Sequence, residues 1–236
     1  MEKVIAVLMR PDSDEQWCAR QRGPVAEALL GLGLPGLSVN VRDDAVRPSL
    51  MTLTTLDPPV AAVVSMWTQQ CYGEQLTAAL EILAGECENL AAFLVTESVP
   101  LPGPVTESGS RTAGLANIAL LRRPAELDQA AWLSRWQLHH TSVAIETQST
   151  FGYTQNWVVR TLIPGAPDSA NIAGIVEELF PIEAVGDLQA FFGAADDADL
   201  QDRLGRMVAS TAAFGANENI DAVPTSRYVF ATPFAQ

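Results

Sequence analysis

Cations, histidines and cysteines are scarce in this chain of 236 residues: 14 Lys and Arg stand against 28 Asp and Glu, with 2 His and 3 Cys. The net charge of −14 repels phosphate backbones and anionic lipid surfaces. It argues against nucleic acid as a partner and against electrostatic docking on membranes. Cys18, Cys71 and Cys87 are odd in number and far apart, so they form neither a disulfide framework nor a zinc site, and they suit a reducing cytoplasm. Two adjacent histidines, His139 and His140, are too few for a His-rich metal centre, and no metal is expected. No apolar run approaches the roughly 18 residues of a membrane-crossing helix. The stretch Val4 to Met9 is also too short for a secretory signal and is followed at once by charge. Absent too are the glycine-rich dinucleotide fingerprint, the P-loop and a serine nucleophile elbow, so nucleotide cofactors and serine-hydrolase chemistry have no support. What is plentiful is apolar material, 48% of the chain against 18% charged, enough for a sizeable core.

The segment 99–114, VPLPGPVTESGSRTAG, has turn residues and no periodicity, and reads as a linker between a first half (1–98) and a second (115–236). In the second half the apolar run Leu115 to Arg123 predicts a strand, and Asp128 to Gln148 a helix. Strands over Tyr153 to Ile163 and Ile172 to Ile182 follow. Helix from Asp187 to Phe214, broken at Gly193, and a short strand from Tyr228 to Ala231 complete it. The first half repeats the order: strand Lys3 to Arg10, helix Asp14 to Leu32, strands Leu37 to Arg42 and Val60 to Trp67, helix Gly73 to Cys87, strand Leu90 to Thr96. VIAVLMRPDSDEQWCAR and IALLRRPAELDQAAWLSR share strand, Arg-Pro, acidic turn and a helix with Arg three residues after Trp. An internal duplication explains this. The fold class is therefore α+β: two ferredoxin-like βαββαβ repeats. Their sheets, each covered by helices on one face, bury the other faces together as an intramolecular α+β barrel.

The densest chemistry lies in DQAAWLSRWQLHHTSVAIE. On an α-helix Trp132, Trp136 and His140 step round by only about 40° each and share a face, with His139 just to the other side of Trp132. A histidine beside indoles on a buried face can exchange a proton near neutral pH. His140 and His139 are the candidate catalytic residues, and Trp132 and Trp136 the candidate pocket walls. Tyr153 and Asn156 on the next strand are candidates to orient a substrate oxygen. Their opposite parity means that only one shares the pocket, and Tyr153 is the better placed. Other features read as structural. Arg122 and Arg123 are expected to be paired surface cations, Cys71 and Cys87 core thiols, and Ala194 to Asp202 a solvated helix start. Ser49 to Pro59 is an insertion serving as a connection, a hairpin or a flap.

The spacing Trp132, Trp136, His140, followed by a strand opening Gly152-Tyr153-Thr154-Gln155-Asn156, resembles the EthD domain of the dimeric α+β barrel superfamily. The likeness is strongest from Ala116 to Arg160. The first half departs from it: Trp17 and Arg20 are kept, but Gln21 stands where Trp136 does and Val25 where His140 does, so the first repeat is expected to lack a complete pocket. The resemblance implies a cofactor-independent lyase, decarboxylase or isomerase acting on a small hydrophobic, aromatic or polyketide-like compound, in a pocket between helix and sheet. The alternatives are a haem-binding enzyme with His139 or His140 as axial ligand, a cofactor-free monooxygenase, and a non-catalytic accessory protein that binds a small molecule. A tandem repeat removes the usual need to dimerise and leaves monomer and homodimer both open.

Overall fold

The structure, a computed structural model, describes residues 1–233. The first repeat runs β1 (Glu2–Met9), helix α1, β2 (Gly36–Val41), β3 (Val60–Thr68), α2 (Glu74–Ala84) and β4 (Asn89–Leu101). The second runs β5 (Leu115–Arg122), helix α3, β6 (Gly152–Ile163), β7 (Ile172–Phe180), the short α4 (Leu188–Phe192), α5 (Asp197–Phe214) and β8 (Asp221–Ala231). Helix α1 joins α-helical Glu15–Arg20, π-helical Gln21–Val25 and α-helical Ala26–Gly31; α3 joins Gln129–Leu133, π-helical Ser134–His140 and Thr141–Thr147 in the same way. π segments are rare, and finding one in the matching helix of each repeat supports the duplication independently of the sequence.

Around the barrel the strands follow the order β1-β3-β2-β8-β5-β7-β6-β4 and close on themselves. Each repeat thus forms the antiparallel order fourth-first-third-second, and the pairs β2–β8 and β4–β6 seal the two sheets into one barrel. Parity then sorts every strand residue. Ile5, Val7, Met9, Phe93, Leu120, Ile175 and Val223 point inward and form a central core. Val4, Leu8, Leu37 and Val64 pack outward under α1 and α2, while Ala119, Leu121, Tyr153 and Val176 pack outward under α3 and α5.

Several boundaries differ from the sequence reading. β8 begins at Asp221, seven residues before Tyr228, because Pro224 is tolerated where the β2 ladder has already ended at Ser226. β4 continues to Leu101, into the stretch read as linker, and the rest of that stretch is tied down: Gly109 and Thr112 donate to the Val229 and Arg227 carbonyls at 2.8 Å. Ser49 to Pro59 forms no hairpin. It lies as a strap against the second repeat, where Leu53 pairs with Ala222. Arg122 is no surface cation, since it forms a buried ion pair with Asp221 at 2.8 Å. Helix α2 stops at Ala84, short of Cys87. Among the described residues no helix is long and apolar enough to cross a membrane.

Candidate active site

Helix α3 starts where Asp128 accepts from the Ala131 N–H at 2.8 Å, an N-cap that fixes the first turn. One turn on, the Trp132 and Trp136 rings meet at 4.8 Å between centroids. Both indoles rest on Gly174 of β7, where an added Cβ would sit 2.6 Å from Trp136 Cη2 and 3.2 Å from Trp132 Cη2. Only a glycine lets two indoles approach the sheet so closely. Through the π turn His140 stays buried, its ring 4.8 Å from that of Phe214 on α5, with Nδ1 3.0 Å from Ser210 Oγ. Gln155 of β6 donates to Thr141 Oγ1, tethering strand to helix.

Between α3, α5 and the outer face of the second sheet lies a cavity of about 390 Å³. Its walls are mostly apolar: Ala119, Leu121, Trp136, Val176, Met207, Phe214 and Ile220, with Met51 and Leu53 contributed by the strap from the first repeat. Gln148, Thr211 and Asn217 lie on its helical side, and three further polar groups come from neighbouring strands in one row. Asn117 on β5 is directly opposite Glu178 on β7, and Glu178 is directly opposite Tyr153 on β6. His140 faces this row from the helix side of the same cavity.

Burial separates the titrations of these groups. Glu178, 7% exposed, is pushed up to about 7 by desolvation, with the Asn117 amide partly opposing the rise. Desolvation lowers His140 to about 4, so its imidazole is neutral near pH 7. The Tyr153 phenol is raised well above its ordinary range, first by burial and then by the Glu178 charge. The Trp136 indole N–H is fully buried and has no acceptor in hydrogen-bonding geometry among the described residues. A buried donor left without a partner is costly; the group it acts on is the Tyr153 hydroxyl, whose rise it partly opposes, and the Trp136 ring lines the cavity. The cavity therefore holds a carboxyl group poised near neutrality, a neutral imidazole, a protonated phenol and an indole ring.

The sequence candidates divide. His140, Trp136 and Tyr153 line the cavity. Trp132 lies behind Trp136 against Gly174 and does not line it. His139 is exposed on the outer surface of the helix, because at this helical spacing adjacent residues cannot both face inward. Asn156 points into the barrel interior, where its Nδ2 donates to the Ile175 carbonyl at 3.2 Å, as strand parity requires. Glu178, Asn117 and the strap residues were missed. In the first repeat Trp17 and Gln21 donate to the Glu86 carbonyl and carboxylate, each at 3.0 Å. Val25 and Leu29 pack into the apolar core there.

Haem was the alternative cofactor. No Lys or Arg lines the cavity, so a haem there would find no cation for its propionates among the lining residues. His140 is the histidine that lines the cavity. Among the described residues, no cluster of three His, Cys, Asp or Glu side chains is placed to hold a metal ion.

No family model matches the chain, and no curated protein matches it. Solved structures do. An anthrone oxidase-like protein shares 10% identity at a TM-score of 0.54, covering 99% of this chain and 95% of its own. A provisionally named monooxygenase from Lactobacillus acidophilus NCFM shares 9% identity at TM-score 0.47, covering 98% and 96%. A mutant chlorite dismutase from Candidatus Nitrospira defluvii shares 13% at 0.46, covering 96% and 90%. The first of these shares this chain's fold over nearly the whole of both chains. At such identity the likeness carries the fold alone.

Proposed function

We propose that this protein is a cofactor-independent enzyme that moves a proton on a small hydrophobic, aromatic or polyketide-like carbonyl compound, in the manner of a lyase or isomerase. The observation that carries this reading is Glu178, a buried carboxyl group held near pKa 7 inside an apolar cavity. A general base works best with a pKa close to the working pH, and two titratable groups pushed in opposite directions by their surroundings mark acid and base roles. In this reading Glu178 is the base that takes a proton from carbon. The Tyr153 hydroxyl, with the Trp136 N–H beside it, holds the substrate oxygen as charge develops on it. Neutral His140, positioned through Ser210, donates a hydrogen bond there, and protonated Glu178 returns the proton to carbon. The EthD resemblance implies the same class of chemistry; helical spacing had put His140 in the role now given to Glu178.

The test is deuterium wash-in from D₂O at the α-carbon of phenylacetone, followed by NMR, with Trp fluorescence reporting binding. The proposal expects protein-dependent exchange that rises through about pH 7 and is lost in Glu178→Gln while binding persists. Binding without exchange would make the protein a non-catalytic small-molecule binder. A Soret band in the purified protein would instead bring haem back to the front.

A further inference from the structure

The barrel interior is apolar at one end and polar at the other. Ile5, Val7, Phe93 and Leu120 fill the first. Further along the same inward-facing rows, Lys3, Glu97, Asn156, Glu177 and Arg227 surround an enclosed space of about 40 Å³. Glu97, Glu177 and Arg227 also border a wider pocket of about 260 Å³ at the barrel mouth. This site is separate from the cavity described above: Glu177 and Glu178 are adjacent on β7 and point to opposite faces of the sheet.

Charged groups inside a barrel need a reason, since apolar side chains fill the other end of the same interior at no desolvation cost. Lys3 pairs with Glu97, and Arg227 Nε lies 2.9 Å from Glu177 Oε1. Burial holds Lys3 below the usual lysine range, and the charges of Glu97, Glu177 and Arg227 all act on it, so the four groups converge. Part of the bonding capacity there is unused. Among the described residues Arg227 Nε, although close to Glu177, is buried without a hydrogen bond in good geometry, and Lys3 bonds Glu97. Asn156, 2% exposed, has an unpartnered side-chain oxygen. Donors on two cations and acceptors on a carboxylate and an amide stand at one opening, and together they match a ligand with both charges.

We infer that the polar end of the barrel binds a small zwitterion of amino-acid size, its carboxylate on Arg227 and Lys3 and its ammonium on Glu177 and the Asn156 oxygen. Calorimetric titration of the full chain at neutral pH tests this with glycine, β-alanine and 4-aminobutyrate, which vary the charge spacing, and with acetate and methylammonium, which carry one charge each. At least one zwitterion is expected to bind saturably, about tenfold or more tighter than either single-charge probe. Glu177→Gln and Arg227→Gln should each weaken it about tenfold or more while leaving Trp quenching by an aromatic ligand in the other cavity unchanged. If Arg227→Gln does not fold, the near-isosteric Glu177→Gln decides alone. The inference is overturned if no zwitterion binds the native chain in the millimolar range, if acetate or methylammonium binds as tightly, or if the folded variants bind like the native protein.

Discussion

At the scale of the residue, Glu178 and His140 leave opposite marks on stability. A carboxyl whose pKa is about 4.5 unfolded and about 7 folded destabilises the native state as pH rises through that window, and the loss is complete above it. The size is on the order of 3 kcal/mol. Glu178→Gln should therefore raise stability by about that amount at pH 8 and leave it unchanged near pH 4, as measured by urea unfolding. His140 runs the other way: lowered from 6.5 to about 4, it leaves the unfolded chain binding more protons between those values, so its contribution to stability is lost as pH falls through them. A Glu178→Gln variant keeps only the histidine linkage, and its stability should climb more steeply with pH from 4 to 6.5 than that of the native chain. Gly174→Ala drives a methyl group to 2.6 Å from the Trp136 ring. We expect it to cost about 1–3 kcal/mol and to weaken ligand quenching of Trp fluorescence, because the indole must move into the cavity.

Elements explain what was legible beforehand. Helical spacing brought Trp136 and His140 together in the sequence, and strand parity already set Tyr153 apart from Asn156, because both rules act within one element. Glu178 was hidden for the opposite reason. In IAGIVEELF two glutamates stand side by side, and only the register of β7 against β5 and β6 puts one of them between Asn117 and Tyr153. Its parity with Val176 and Phe180, both buried outward residues, was the available signal. A flap was one reading of Ser49 to Pro59, but its place could not be read because its anchor is 165 residues away: Asp221 accepts from Thr55 N at 2.6 Å, Thr55 Oγ1 at 2.9 Å and Leu56 N at 3.2 Å. Asp221 also neutralises buried Arg122. Asp221→Ala should cost about 3–5 kcal/mol by stranding that charge. The less drastic Asp221→Asn should weaken aromatic ligand binding, because Met51 and Leu53 lose their hold on the cavity wall. Urea unfolding and fluorescence titration check the two effects.

At the scale of the molecule, the duplication makes one chain do what two ferredoxin-like units would do by pairing. That closure was legible, since a sheet with helices on one face only must cover the other. The division of labour between repeats shows in the second half's cavity, walled in part by the first half's strap. Neither half alone can cover the inward-facing Ile5, Val7, Phe93 and Leu120. Val105, fully exposed in the connection between halves, is where a cut should be tolerated. We expect residues 1–104 and 105–236, coexpressed, to copurify as a folded one-to-one pair, and each expressed alone to aggregate; size-exclusion chromatography with circular dichroism distinguishes these outcomes.

The central claim is that the cavity holds a carboxyl group near half-ionisation at neutral pH. Carboxyl-carbon NMR of the chain labelled at glutamate, with Glu178→Gln assigning the resonance, measures it directly. A Glu178 midpoint near 7 is the predicted result. A midpoint at the ordinary value of about 4.5 would mean that the group is solvated, and the assignment of Glu178 as the base would fall with it.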